Sequence, residues 1–262
     1  MTQYRDLPEE LVLILKALPK HTRPMDVLQM AVSSLGTFYD LEVSPEKVKG
    51  KKYDEKYFLN TSAALIGALG SIVAAWHRIR NGDEPISSKP DCTYAENFLH
   101  ILGAEKITPL MTRIMDATLV LHGEHTINAS TFTAMVTSST LANASQVVAS
   151  AIGSLSGPLH GGANEKVIAM LQKIESKEEI RPWLDETLKA KNVVWGMGHR
   201  EYSVKDPRAN ILTDMVQQLF DEREGGVTDI FEKAIELEKA CEEKLSHKGV
   251  YPNVDFYSGI LY

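Results

Sequence analysis

The 262-residue chain has only two cysteines, too few for the structures that depend on several cysteines. Cys92 and Cys241 stand alone rather than in CxxC pairs, so neither a disulfide framework nor a cysteine-based zinc site is expected. The first residues, 1–6, contain no apolar segment of the kind that a secretory signal needs. We therefore expect a reducing, cytoplasmic setting.

Basic residues are also scarce, 28 against 35 acidic ones, which gives a formal net charge of −7. No general positive field would draw the protein to nucleic acid or to an anionic membrane surface. The longest apolar run, 63–76, is interrupted by Gly67, Gly70 and Ser71 and is shorter than the roughly 20 residues of a membrane span. We predict a buried helix there, and we expect neither nucleic-acid nor membrane binding.

Strand signals are nearly absent, apart from a short β-branched run at 192–195, so helical periodicity predicts an all-α fold. The predicted helices cover about 8–18, 24–39, 58–80, 93–103, 108–123, 130–152, 163–174, 183–190, 207–222 and 228–246. Connectors are predicted at 41–52, 81–91 and 223–227. A domain seam is predicted near 153–162, where a small-residue helix gives way to a glycine-rich stretch.

Three common catalytic patterns are missing. The stretch 153–157 looks like a GxSxG nucleophile elbow, but its central residue is Leu155 and no strand precedes it. No phosphate-binding GxxxxGK[ST] loop occurs. The sequence GMGH at 196–199 lacks the third glycine and the βαβ context of a dinucleotide fingerprint. We expect neither a serine hydrolase nor a P-loop or Rossmann enzyme.

Two histidines and an arginine lie in stretches that let a ligand approach. His160 belongs to GPLHGGAN (157–164), and it is either a donor to an oxygen that gains negative charge or a turn residue that caps the following helix. His199 ends GMGH, beside exposed backbone. Arg208, in DPR at 206–208, either grips a substrate carboxylate in bidentate fashion or pairs with Asp206 or Asp214 on the surface.

Asp255 and two further histidines also have both a functional and a structural interpretation. Asp255, in the aromatic-rich segment YPNVDFYSG (251–259), is either a general base or the cap of a helix that starts near Phe256. His122 and His125 stand three positions apart, with Glu124 as a possible third metal donor. The order HGEH fits neither zincin motif, so we predict no metal: one histidine contacts a substrate carboxylate and the other packs.

Taken in order, these motifs resemble those of the citrate synthase family, most closely its bacterial and cyanobacterial members. The similarity covers essentially all 262 residues and runs through LPKHTRPMD (18–26), HTINASTF (125–132), GPLHGGAN, GMGHR, KDPR and PNVDFYSG (252–259). Several long motifs in one order make the resemblance specific.

The resemblance implies a role for each site residue. Asp255 would remove a methyl proton from acetyl-CoA while His160 holds the thioester oxygen. His199 would protonate the ketone oxygen of oxaloacetate, which Arg208 and His125 would bind. Hydrolysis of the citryl thioester would release citrate and CoA.

The resemblance also implies how CoA and the domains are arranged. Val194, Gly196 and Gly198 would offer backbone groups to the adenine of CoA. No metal and no cofactor are expected, since the CoA thioester is a substrate. The family fold is a homodimer of helical subunits, with a large domain expected at 1–162 and a small one at 163–262.

Family members carry further segments before the position of Met1 and after that of Tyr262, the second with two arginines that bind substrate carboxylates. The resemblance therefore implies a fold that is incomplete at both ends. Two alternatives to citrate synthase stay open. One is a 2-methylcitrate synthase that uses propionyl-CoA, since shared motifs do not separate substrates that differ by one methylene. The other is a truncated, non-catalytic helical fragment that serves in dimerisation.

Overall fold

The computed structural model of the chain describes residues 2–39, 41, 48–49, 52–53, 55–124, 126–158, 160–199, 202–222 and 228–261. Helices make up most of these residues, which confirms the predicted all-α fold class. A small antiparallel pair, Val48–Lys49 (β1) with Lys52–Tyr53 (β2), lies at the end of the predicted connector 41–52 and extends one residue beyond it. The predicted connector 223–227 lies outside the described residues.

Backbone contacts divide the chain into two compact units. The first comprises Met1–Asp116 with Gly123–His160, and the second Ala117–His122 with Gly161–Tyr262. The domains predicted from the sequence, 1–162 and 163–262, stay a prediction. The division into units reflects backbone contacts, and contacts alone do not show that a unit moves as one body, as a domain does.

The first unit is built on the helices that begin within it. These are α1 (Glu9–Ala17), α2 (Pro24–Ser34), α3 (Glu55–Asn81), α4 (Tyr94–Leu102), α5 (Pro109–Leu121), α6 (Ala129–Ser138) and α7 (Ala144–Leu155). Helix α4 illustrates the local signals, since the Thr93 side chain accepts from the Glu96 amide at 3.2 Å and Gly103 ends the helix with a φ of 97°. Such caps supply partners for backbone groups that a helix end leaves unpaired.

Helix α3 is central to the core of the first unit. Its Ala68 and Ile72 are fully buried in one cluster with Leu11 and Leu15 of α1 and Ala31 of α2. By length and apolar composition α3 could cross a membrane, yet half of its most apolar window is buried inside the protein. This burial is typical of a core helix and agrees with the buried helix predicted at 63–76.

The single helix predicted over 130–152 is wrong, because the structure has two helices, α6 and α7, in that region. Leu141 adopts a φ of 61°, a left-handed conformation that a continuous helix does not allow. Asn143 then starts α7, since its Oδ1 accepts from the Ser145 amide at 2.8 Å. Asn143 is a small polar residue that the interior of a helix can tolerate, but here it caps the start of a helix.

The second unit contains the remaining helices: α8 (Ala163–Gln172), α9 (Ile180–Lys189), α10 (Pro207–Asp221), α11 (Asp229–Leu245) and α12 (Val254–Leu261). The predicted start of α9 at 183 is three residues late, because Pro182 is accommodated in the first turn, where its missing N–H costs nothing. The core of this unit joins α8, α10, α11 and α12 through buried Leu171, Leu212, Phe231 and Phe256. Phe256 directly follows Asp255, so this core anchors the segment that carries the predicted base.

Candidate active site

His160 lies at the end of the first unit and contacts the start of α6. The backbone amide of Ser130 donates a hydrogen bond to His160 Nε2 at 3.2 Å, and the Ser130 hydroxyl lies 2.9 Å from the same atom. Asn128 holds this arrangement, since its Oδ1 accepts from the Ser130 hydroxyl at 2.8 Å and from the Thr131 amide at 2.9 Å. The imidazole is therefore held by a capped helix start.

These contacts bear on which ring nitrogen of His160 carries the proton. A backbone amide can only donate, so its contact with Nε2 favours the tautomer in which Nε2 accepts and Nδ1 bears the hydrogen. Within the described part of the chain, no group accepts a hydrogen bond from Nδ1. This N–H is available to donate to a ligand oxygen, as the oxyanion-donor interpretation requires.

The alternative interpretation of His160, a turn residue that caps the following helix, is wrong. Helix α8 begins after Gly162 with no side-chain cap. The His160 ring instead contacts Ser130 in α6, 30 residues earlier in the chain.

In the second unit, the glycine-rich loop before His199 is hydrogen-bonded to the segment before Asp255. The Gly198 amide donates to the Tyr251 carbonyl at 2.7 Å, and Met197 pairs with Pro252 in an antiparallel bridge. On the other side, the Asp206 amide donates to the Pro252 carbonyl at 3.2 Å. Two separate stretches of the sequence, the glycine-rich loop and the segment of Asp206, therefore converge on residues 251–253.

Gly196 is required by close packing within this loop. Its φ is 79°, and an added Cβ would lie 2.8 Å from side-chain atoms of both Val167 and Phe256. Any other residue would be strained by its backbone conformation and would clash with the core. Val194, by contrast, packs its side chain into the core and leaves only backbone groups for a ligand.

The Asp206–Arg208 pair is buried rather than superficial. Arg208 Nε lies 3.1 Å from Asp206 Oδ1 and its Nη2 lies 2.8 Å from Oδ2, while the side chains are only 14% and 1% exposed. Asp206 also caps α10 by accepting from the Arg208 amide at 2.9 Å. Arg208 therefore pairs with Asp206, as one alternative expected, but the expectation of a pair on the surface is wrong, and the pairing uses only one edge of the guanidinium.

The surroundings of Asp206 favour the ionised form of its carboxyl group. Burial would raise its pKa, but hydrogen bonds from the Arg208 side chain and amide, with the positive charges of Arg208 and His199, hold that pKa below its ordinary value. The ring of His199 stacks on Tyr202, with centroids 4.7 Å apart and planes 32° from parallel. The site therefore combines an orienting carboxylate, a cation and an imidazole on one framework.

We predict that Asp206→Asn weakens folding in a pH-dependent way. Because the folded-state pKa is lowered, the ionised carboxylate contributes stability above the unfolded-state pKa of about 3.9, and this contribution is lost as the pH falls through the folded value. The variant should lose about 2–3 kcal/mol at pH 7 and progressively less below pH ~4. Urea unfolding at several pH values measures this difference.

The matched control is Asp214→Asn, which removes an exposed carboxylate from the same helix. Its unfolding free energy should stay within about 0.5 kcal/mol of the wild type. A gap between wild type and Asp206→Asn that is equal at pH 7 and pH 3 would contradict the assignment.

Asp255 is the second residue of α12 and is half-buried. The helix is capped by Asn253, whose Oδ1 accepts from the Asp255 amide at 3.0 Å. The alternative in which Asp255 itself caps a helix is therefore wrong, because its neighbour occupies that position. The Asp255 carboxylate lies outside the cap and remains a candidate base.

The HGEH segment provides no metal site among the residues that the structure describes. His122 directs Nδ1 at the Thr118 carbonyl, 2.8 Å away at the end of α5, and Glu124 Oε1 accepts from the Thr126 amide at 2.6 Å. His125 lies outside the described residues, so its predicted contact with oxaloacetate stays a prediction.

The predicted site residues that the structure describes belong to two different units. His199, Arg208 and Asp255 share the framework of the second unit, whereas His160 belongs to the first. Ser130 and Asn253 were missed as functional candidates, although both lie inside quoted motifs, because a serine or asparagine near a helix start is usually an ordinary cap. The signal available in the sequence was their position. Ser130 lies between Asn128 and His160, and Asn253 lies two residues before Asp255.

Comparison with known proteins places these motifs in a family. The family model described as "Citrate synthase, C-terminal domain" matches residues 1–262. A citrate synthase from Synechocystis is 45% identical over 249 residues, which are 95% of this chain and 60% of that protein. The chain therefore spans less than two thirds of the length of this curated relative.

Solved structures agree with the sequence match. The citrate synthase of Pyrobaculum aerophilum superimposes with a TM-score of 0.88 at 30% identity, covering 99% of this chain and 65% of that one. A citrate synthase from Thermoplasma acidophilum, solved as a ternary complex with carboxymethyl coenzyme A and oxaloacetate, gives a TM-score of 0.86 at 27% identity over 100% of this chain and 66% of that one.

Proposed function

The chain belongs to the citrate synthase family, and from this premise we propose that it condenses acetyl-CoA with oxaloacetate and water to give citrate and CoA. The observation that carries the proposal is the framework of the second unit, where the loop before His199, the Asp206–Arg208 pair and Asp255 are all hydrogen-bonded to residues 251–253. This set supplies a base, an acid and a cation for the chemistry beside a carbonyl.

In the proposed first step, the Asp255 carboxylate takes a proton from the methyl group of acetyl-CoA. A carboxylate is too weak a base for this transfer unless the developing negative charge on the thioester oxygen is stabilised. We assign that task to His160, because its Nδ1–H is free to donate while Ser130 holds Nε2. A neutral imidazole suits a hydrogen bond to an enol or enolate.

In the proposed second step, the enol carbon attacks the ketone carbon of oxaloacetate, and His199 donates a proton to the ketone oxygen. Arg208 binds a substrate carboxylate through the guanidinium edge that faces away from Asp206, with His125 as a second ligand. Water then cleaves the citryl thioester, which releases citrate and the CoA thiol. CoA acts as a substrate throughout, and the proposal requires no cofactor or metal.

The adenine of CoA is proposed to meet backbone groups of Val194, Gly196 and Gly198. The Gly196 and Gly198 carbonyls each accept one hydrogen bond from Asn253, so a ligand would use their second lone pairs or the neighbouring groups of the loop. This proposal is supported by the positive φ of both glycines, a left-handed conformation that regular helices and strands do not use.

The experiment that tests the proposed function is thiol release from acetyl-CoA by the full-length gene product, with and without oxaloacetate. We expect release only when both substrates are present, with citrate formed in equal amount. No release by the folded protein would overturn the assignment.

Neither alternative is favoured by the comparisons, since the relatives reported above are named citrate synthases. The acyl preference is measurable as kcat/KM for acetyl-CoA against propionyl-CoA. We expect acetyl-CoA to be preferred by about 10-fold or more, the effect of one methylene in an apolar pocket.

We also propose that the protein is a homodimer located in the cytoplasm, the location supported by its scarcity of cysteine. The dimer is supported by α6, which has no buried residue and exposes Phe132, Met135 and Val136 by 60%, 50% and 52%. Several apolar side chains exposed on one helix are typical of a surface that a partner subunit covers in the oligomer.

The predicted effect of Phe132→Glu is a shift from dimer to monomer, because a carboxylate cannot be buried unpaired at an apolar interface. Light scattering after size exclusion measures the mass, and the apparent dissociation constant should rise about 100-fold. Leu13→Glu, which charges an exposed apolar residue of α1, is the control and should leave the mass unchanged. A monomeric wild type would contradict the proposal.

A further inference from the structure

Asn253 makes hydrogen bonds with every polar group that it has. Its amide donates to the Gly196 carbonyl at 2.9 Å, and its side-chain Nδ2 donates to the Gly198 carbonyl at 2.9 Å. Its Oδ1 accepts from the Asp255 amide at 3.0 Å, and its own carbonyl accepts from the Phe256 amide at 3.2 Å. One residue thus bonds to the glycine loop on one side and to the start of α12 on the other.

These bonds bear on two of the predicted catalytic residues. Gly198 immediately precedes His199, and Asp255 is the second residue of α12. Fixing the Gly198 carbonyl and the Asp255 amide to one side chain fixes the backbone positions of the acid and the base relative to each other. A displacement of about 1 Å between catalytic groups is enough to cost roughly 100-fold in rate.

The chemistry of the position restricts which residue can do this. The side chain must donate to one partner and accept from another, and among side chains of this length only asparagine offers both a rigid N–H donor and a carbonyl acceptor. Aspartate would keep the acceptor and lose the donor. Serine could cap the Asp255 amide but is too short to span both partners.

We propose that Asn253 is a positioning residue that sets the geometry between Asp255 and the loop carrying His199. The inference rests on the proposed citrate synthase function and deepens it, because it assigns to Asn253 the alignment of base and acid rather than contact with substrate. The second unit has its own buried core, so its folding does not depend on Asn253 alone.

The test compares Asn253→Ala and Asn253→Ser with the wild-type, full-length gene product. Steady-state rates give kcat and KM, acetyl-CoA deuterated in its methyl group gives the primary isotope effect on kcat, and thermal unfolding gives the midpoint. We expect Asn253→Ala to lower kcat by about 10- to 100-fold with KM for oxaloacetate nearly unchanged. The isotope effect should rise, because misalignment of Asp255 slows proton removal.

Asn253→Ser should recover part of the rate, since serine is also a good cap for the Asp255 amide. It also tests the proposal if the alanine variant does not fold. The matched control is Asn143→Ala, which removes the same kind of cap from α7 in the first unit. This control should lower the unfolding midpoint by about 2–4 °C and leave kcat and the isotope effect as in the wild type.

Two results would overturn the proposal while leaving the proposed function intact. One is a kcat of Asn253→Ala within about twofold of the wild type, which is too small for misalignment. The other is a lower kcat with an unchanged isotope effect, since a loss of folded protein reduces every step equally. Absence of thiol release by the wild type would instead overturn the proposed function itself, together with this inference.

Discussion

Asp255→Ala is expected to lower kcat for citrate formation by roughly 1,000-fold, because the variant has no group that can take the methyl proton of acetyl-CoA. Positioned general bases contribute about 10²–10⁴-fold to rate. The KM for oxaloacetate should change little, since Asp255 acts on the other substrate. Thiol release with each substrate varied in turn measures both quantities.

Two further variants separate chemistry from folding. Asp255→Asn keeps the size of the side chain and the start of α12 and should lose nearly as much activity as the alanine variant. Glu165→Ala removes an exposed carboxylate from the first turn of α8 in the same unit and should leave kcat unchanged. An active Asp255→Ala protein would show that another residue is the base.

His160→Ala is expected to lower kcat by about 10²–10³-fold through loss of the Nδ1–H donor. Removing one donor to a developing oxyanion costs about 2.7–4 kcal/mol of transition-state stabilisation. The rate of exchange of the acetyl methyl protons with solvent should fall by a similar factor, because enol formation is the step that the donor assists. That exchange is measured by proton NMR in D2O.

Ser130→Ala tests the orientation of the same imidazole. Its effect should be smaller, about 10-fold, because the backbone amide of residue 130 still donates to Nε2 when the hydroxyl is gone. His100→Ala, at a half-buried histidine in α4 of the same unit, serves as the control and should leave the exchange rate unchanged. Normal exchange in His160→Ala would contradict the donor role.

The fold could be predicted from the sequence where periodicity and local caps agree. Proline and acidic residues at the start of α1, and Asp206 with Pro207 at the start of α10, indicate helix ends directly. The division of 130–152 into two helices could not be predicted in this way. It depends on the left-handed conformation of Leu141, which is stabilised by packing of the flanking helices rather than by the residue's own preference.

The candidate site shows the same limit at single residues. Asp255 and Arg208 were each open to an ordinary structural role, and the sequence did not say whether Asp255 or Asn253 caps α12. Likewise, the orientation of the His160 ring depends on Ser130, a residue 30 positions away. Contacts of this kind follow from tertiary structure, because spacing in the sequence does not determine distance between helices.

By itself, the sequence determined the helical class, the acidic and cysteine-poor character, and the order of motifs that identifies the family. These properties depend on composition and local periodicity, which every short segment carries. Only the tertiary structure decided that residues 251–253 join the His199 loop to Asp206 and Asp255, that Arg208 uses one edge on a buried carboxylate, and that Ser130 contacts His160 Nε2. Hydrogen bonds are short and directional, so they form only where folding brings distant segments within about 3 Å.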